Sequence, residues 1–236
     1  MPQTLDDKVK ALEKNIGYTF KNKELIHEAL THPSIPAVDK DYTDNQRLEF
    51  LGDSVLGITT VEYLFHNYPN WDEGKLTQRK NLLVSSAMLA QSAKLIQLGD
   101  AMIVGASEEM NKGRERKNLL EDAFEALLGA LYLDAGIEVC KKLIIKLVLK
   151  DGFEFAKKSN LLNFKNALLE HLQNTSGQNV EFRVVNETGP EHLRVYTTEV
   201  WYNGDKIGTG EGPSKAKSSM DASRDAVENL KINMES

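Results

Sequence analysis

The sequence predicts a chain in two parts: an all-α domain over residues 1–155, then an α+β unit of order α-β-β-β-α over residues 156–236. Three observations carry that division. From Leu5 to Leu149 apolar residues recur at helical spacing, with almost no strand-like alternation. After Asp151 the pattern turns to period-two runs joined by turn residues. Between the two, Asp151 to Asn160 is polar and unpatterned around Lys157-Lys158-Ser159-Asn160, as a domain boundary should be.

Each element follows from local rules. Leu5, Val9, Leu12 and Ile16 mark a first helix before Gly17. Glu24 to Leu30 is a short amphipathic helix ending near Thr31-His32-Pro33, because proline disfavours the α region for the residue before it. Asn45 to Phe65 is long and stops before Pro69. Its apolar residues, Leu48 and Phe50 through Leu64 and Phe65, spread around most of the circumference, so this helix is expected to be largely buried. Leu76–Leu98, Asn118–Asp134 and Ile137–Leu149 complete the helical part. Beyond the boundary, Leu162–Gln173 reads as a helix and Val180–Val185 as a strand, followed by a turn at Gly189-Pro190. In the run His192–Tyr202, Tyr196, Thr198, Val200 and Tyr202 share one face. Asn203-Gly204 is a strong hairpin signal, a third strand lies around Ile207, and Ser214 is placed to cap a last helix reaching about Leu230.

Composition narrows the class. With 41% hydrophobic residues in 236, a core can form without disulfide or metal staples. The single cysteine, Cys140, excludes an intramolecular disulfide framework and a cysteine-rich zinc site, and fits a reducing compartment. The N-terminus lacks the basic and apolar run of a signal peptide. No apolar stretch approaches the ~18 residues of a membrane span; the most apolar, Leu143 to Leu149, is broken by Lys146. A cytoplasmic protein with no membrane partner is expected. The formal charge is −6, which by itself argues against a nucleic-acid binder.

One anomaly points to chemistry. Inside the apolar Asn45–Phe65 helix stand Glu49 and Asp53, four apart and so on one face. A second apolar segment, Leu119 to Leu128, repeats it with Asp122 and Glu125, three apart. Buried ionised carboxylates are costly unless paired or metal-bound. A lone acid of this kind would ordinarily line an exposed groove or pair with Arg47, Arg79 or Lys80. Two pairs on two apolar helices weaken that account and favour an oxygen-only site for a hard cation, Mg²⁺ with Mn²⁺ as substitute. A di-iron bundle would need Glu-x-x-His pairs, which the five histidines do not supply, and zinc lacks its nitrogen and sulfur ligands.

These residues carry a resemblance. Asn45-Gln46-Arg47-Leu48-Glu49-Phe50-Leu51-Gly52-Asp53-Ser54 resembles the signature of the ribonuclease III family. Asp122-Ala123-Phe124-Glu125-Ala126-Leu127-Leu128-Gly129 is similar to its second catalytic block, with Asp72-Glu73-Gly74 and Thr31-His32-Pro33-Ser34 as lesser matches. The C-terminal unit resembles the double-stranded-RNA-binding domain that follows in bacterial-type members. The resemblance implies a Mg²⁺-dependent, double-strand-specific endoribonuclease acting in RNA processing and leaving 5′-phosphate and 3′-hydroxyl ends with short 3′ overhangs. It implies Glu49, Asp53, Asp122 and Glu125 as metal ligands, with Asp53 and Glu125 catalytic. It also implies a homodimer in which Phe50 enters a pocket of the partner; on its own, Phe50 reads as a core aromatic. One departure is Gln46, standing where the family usually carries a glutamate.

In the C-terminal unit the resemblance places RNA contacts at Glu170, His192, Lys215 and Lys217, with Leu169 and Ala216 departing from the usual residues. From Asn160 onward eight Lys/Arg face eleven Asp/Glu, a net −3 that is unusual for this role and predicts salt-sensitive RNA binding. The rival expectation is a catalytically silent double-stranded-RNA-binding scaffold on the same fold. All four ligand positions being acidic favours the enzyme. Two Mg²⁺ per chain would take the overall charge to about −2, so any RNA-binding surface must be a local patch near Lys215 and Lys217.

Overall fold

The computed structural model describes residues 4–36, 43–150, 164–176, 180–190 and 193–232. It divides into two compact units, Met1–Phe155 and Ala156–Ser236. The first is helical among its described residues. It comprises α1 (Leu5–Ile16), α2 (Lys23–Leu30), α3 (Gln46–Asn67), α4 (Glu73–Leu83), α5 (Ser86–Leu95), the short α6 (Leu98–Ala101) and α7 (Ala106–Met110), a 3₁₀ turn at Gly113–Glu115, α8 (Lys117–Ala135) and α9 (Ile137–Ile144). α9 runs on into a π-helical turn, Ile145–Lys150.

The centre of this unit is α8, nearly all of whose side chains from Leu119 to Leu131 are buried except the acids. It packs against α3, α5 and α2. α3 and α8 cross where both carry glycine. A Cβ on Gly52 would collide with the Glu125 carbonyl, and one on Gly129 with the Leu48 carbonyl. Only residues without a side chain let the two backbones approach this closely.

Two expectations are corrected here. The single helix expected over Leu76–Leu98 is broken at Val84-Ser85, with Ser85 extended and α5 beginning at Ser86. Serine competes poorly for helix interiors because its hydroxyl bonds nearby groups in other conformations. The other correction concerns α3, which is not buried around most of its circumference. Phe50 is 79% exposed, Phe65 65%, Ile58 60% and Val61 46%. At about 100° per residue these four fall within an arc of roughly 80°, a single apolar stripe facing outward. Apolar residues at every azimuth do not distinguish a core from an interface. Phe50 is accordingly no core aromatic.

The second unit is α10 (Phe164–Ser176), strands β1 (Val180–Thr188), β2 (Val195–Tyr202) and β3 (Asp205–Gly212), and α11 (Lys215–Asn229). The strands form one antiparallel sheet in the order β1-β2-β3. Tyr202 pairs with Asp205, leaving Asn203 and Gly204 as a two-residue turn with both φ positive, the geometry that Asn-Gly favours. β2 starts at Val195, after a turn in which Leu193 N–H donates to the Pro190 carbonyl, later than the run from His192 expected. α11 lies against β3 and β2, with Thr198 and Ser218 hydroxyls bonded at 2.7 Å inside the packing. Ser214 caps α11 by accepting from Lys217 N–H. The edge strand β3 has its free N–H groups satisfied by α11: Thr209 donates to Asp225 and Glu211 to Asp221.

Candidate active site

The glycine crossing decides where the acids meet. Glu49 and Asp53 flank Gly52 on α3, and Asp122 and Glu125 lie on the α8 segment against it. The two pairs that spacing alone put on separate helix faces are thereby brought to one place. Glu49, Asp122 and Glu125 are half-buried, while Asp53 is exposed. Among the described residues none of the four takes part in an ion pair.

Their electrostatics record this convergence. Glu125 is pushed up to about 8, first by burial and then by Asp53, Glu121, Glu49 and Asp122. Glu49 is raised by burial, then by Asp122, Glu121 and Asp53. Asp122 is raised by burial and by Glu121, with His32 opposing. Each carboxylate makes its neighbours harder to ionise, as like charges sharing one site must.

Among the described residues no three His, Cys, Asp or Glu side chains are drawn into a ready coordination cluster. What converges is the backbone frame, while like charge favours rotamers that keep the carboxylates apart. The donor set is all carboxylate oxygen, which fits a hard divalent cation and not zinc or iron.

Neighbouring residues complete the rim. His32 accepts from Ser34 N–H at Nδ1, which in the neutral ring leaves the proton on Nε2. Its imidazole is pushed down by burial, against Glu108 and Asp122. The 106–116 segment is held beside it: Gly105 N–H donates to Ser34 Oγ, and Glu108 pairs with Arg116 at 2.7 Å. Gln46 is the exposed first residue of α3, and Glu73, at the start of α4, accepts from Thr77. Arg79, offered as a partner for the acids, lies over the Trp71 ring at 5.1 Å. The residue that sequence reasoning passed over is Glu121. It accepts from Ser86 Oγ and acts on three of the four acids. Its spacing, four before Glu125, was the available signal.

In the second unit Lys215 and Lys217 are exposed at the start of α11, with Lys215 Nζ 5.9 Å from the Tyr196 ring centre. Arg183, Arg194, Lys206 and Arg224 are held by Glu181, Glu187, Glu199 and Asp221. Glu170 lies within α10. His192 lies outside the described residues.

Comparison with known proteins gives the family. The family described as Ribonuclease-III-like matches residues 22–152, and the double-stranded RNA binding motif matches residues 164–230. A Ribonuclease 3 of Bacillus cereus (strain G9842) is 38% identical over 224 residues, covering 94% of this chain and 91% of the relative. The chain belongs to the ribonuclease III family. A Ribonuclease 3 of Clostridium tetani is 37% identical over 227 residues, 96% of this chain and 97% of its own. Two structures of the nuclease domain of ribonuclease III from Campylobacter jejuni, both 40% identical, superpose with TM-scores of 0.57 and 0.56. They cover 60% of this chain and 96% and 94% of theirs, and one is described for flexibility in the region involved in dimer formation. As a member of the ribonuclease III family with a double-stranded-RNA-binding motif, the chain is an endoribonuclease acting on double-stranded RNA. The family is generally metal-dependent, and no helix among the described residues is long and apolar enough to cross a membrane.

Proposed function

We propose that this chain cuts RNA duplexes with Mg²⁺, or Mn²⁺ as substitute, held by Glu49, Asp53, Asp122 and Glu125. The observation that carries the reading is the Gly52–Gly129 crossing, which sets two carboxylate pairs on facing helices, none of the four in an ion pair among the described residues. Held by these four residues, such cations would supply activation of water and stabilisation of the leaving 3′ oxygen in an in-line displacement. The chain's own part is to bring the acids to one place, where burial and mutual repulsion favour a cation over empty carboxylates. Asp53, exposed beside the crossing, and Glu125, the most strongly perturbed, are the catalytic residues closest to the reacting phosphate in this reading. The products are 5′-phosphate and 3′-hydroxyl ends with short 3′ overhangs, as in maturation or decay of ribosomal and messenger RNA in the cytoplasm.

Residues 1–155 form the catalytic domain and residues 156–236 the duplex-binding domain in this proposal. The chain works as a homodimer, joined through the exposed stripe of Phe50, Ile58, Val61 and Phe65. Phe50→Ser with Phe65→Ser should leave a monomer by sedimentation; a dimer unchanged in strength would remove the stripe from the interface. Lys215 and Lys217 meet phosphates at the α11 N-terminus, where the helix adds positive potential. By family resemblance Glu170 is assigned a contact with 2′-hydroxyls, and His192 one with a 2′-hydroxyl or a base edge.

The test is to incubate the full chain with a long RNA duplex, with and without Mg²⁺, and to size the products and map their ends. Short duplexes with 3′ overhangs, formed only with Mg²⁺, are expected. Intact RNA under both conditions would leave a duplex-binding scaffold in place of this mechanism.

A further inference from the structure

We infer that Glu121 is a positioning residue of the same site, a fifth carboxylate anchored by Ser86 that raises the affinity of the other four for a divalent cation. The inference rests on the proposed role of Glu49, Asp53, Asp122 and Glu125. Glu121 stands one turn before Glu125 on α8 and next to Asp122, so it shares their side of the helix. It is half-buried and, among the described residues, forms no ion pair.

Ser86 Oγ donates to its Oε2. Ser86 is the first residue of the ten-residue α5, and Ser85 before it supplies no side-chain cap. The break at Val84-Ser85 therefore presents both a hydroxyl and the positive end of a helix to Glu121. That contact fixes the carboxylate between α5 and the crossing of α3 and α8. Its charge bears on Glu49, Asp122 and Glu125.

A simple cap for α5 would not need this charge. A neutral glutamine keeps an acceptor for Ser86, though a weaker one, and would spare three neighbouring carboxylates the repulsion. The Glu121 charge repels three neighbouring carboxylates and attracts a divalent cation seated among them. Carboxylates that orient or electrostatically support metal ligands commonly govern affinity by a factor of about 10–100.

The experiment uses full-length protein stripped with chelator and titrated with Mn²⁺, following free ion by electron paramagnetic resonance. Glu121→Gln, which keeps the shape and the acceptor for Ser86, should weaken Mn²⁺ binding by about tenfold. Its thermal unfolding in chelator should stay close to wild type, because relief of the repulsion offsets the weaker contact with Ser86. Ser86→Ala should lose a smaller part of the affinity, and Ser86→Thr, which keeps the hydroxyl, should recover it. Mn²⁺ binding by Glu121→Gln equal to wild type overturns this inference alone. So does a loss of binding that merely follows a loss of thermal stability. Wild-type protein that takes up no Mn²⁺ overturns the underlying reading together with this inference.

Discussion

The helical unit and the C-terminal unit both carry more acidic than basic residues, but the acids of the α3–α8 crossing are treated differently from those of the sheet. In the C-terminal unit Glu181, Glu187, Glu199 and Asp221 each bind an arginine or lysine, and Asp221 and Asp225 also satisfy N–H groups of the edge strand β3. At the α3–α8 crossing Glu49, Asp53, Asp122 and Glu125 have no such partners among the described residues, and three of them are half-buried. A partnered carboxylate explains itself through structure, whereas an unpartnered, half-buried group of them needs a cation from outside. The same comparison bears on the net −3 from Asn160 onward. Its pairing leaves Lys215 and Lys217 without an ion pair among the described residues, so the RNA-facing charge is local.

The sharpest way to break this contrast is to remove an acid from each side. Glu125→Gln should lower cleavage by roughly three orders of magnitude, the effect of losing several kcal/mol of stabilisation at the reacting phosphate, while duplex binding measured by gel shift stays intact. Near-wild-type cleavage would take Glu125 out of the mechanism. In the C-terminal unit, Glu187→Gln should leave cleavage and stability almost unchanged, because exposed ion pairs contribute only about 0–1 kcal/mol.

A second, smaller effect tests the frame rather than the charges. Gly52→Ala forces α3 and α8 apart and should cost about 1–3 kcal/mol or more in denaturant unfolding, with weaker divalent-ion binding alongside. Stability equal to wild type would mean that the crossing is looser than the backbone contact requires.

Third, Lys215→Ala and Lys217→Ala should each weaken duplex binding evenly across RNA sequences and reduce the salt slope of log affinity by about one. A slope that does not change would move the phosphate contacts elsewhere in the unit.

The smallest expected effect is a pH dependence confined to the ion-free protein. Glu125 lies above its ordinary range in the folded state, so the folded chain binds a proton more tightly than the unfolded chain. That contribution is complete below the ordinary carboxylate range and is lost as pH rises through about 8. In chelator the melting temperature should therefore fall as pH climbs from about 4.5 towards 8 and level off above it. Glu125→Gln should flatten that dependence, and a rise in melting temperature over the same interval would contradict the convergence of the acids.

Much of this protein was legible from local sequence. Leu5 to Ile16, the Asn203-Gly204 hairpin and the Ser214 cap follow from spacing, turn chemistry and capping, each settled within a few residues. The face-sharing of Glu49 with Asp53, and of Asp122 with Glu125, was equally local, because helical geometry alone dictates it. Sequence did not decide that the Leu76–Leu98 segment would break at Ser85, although the Ser85-Ser86 pair was a sign of it. Nor did it show that α3 turns Phe50, Ile58, Val61 and Phe65 outward, since an apolar side chain suits a core and an interface alike.

What sequence by itself determined was which residues share a face of one helix or strand. Only tertiary structure decided which faces meet: that α3 and α8 touch backbone to backbone at Gly52 and Gly129, that Ser86 reaches Glu121, and that Asp221 and Asp225 serve β3. The physical reason is range. Periodicity and capping act over a turn or two of chain, whereas a site assembled from distant segments depends on how closely their backbones can pack.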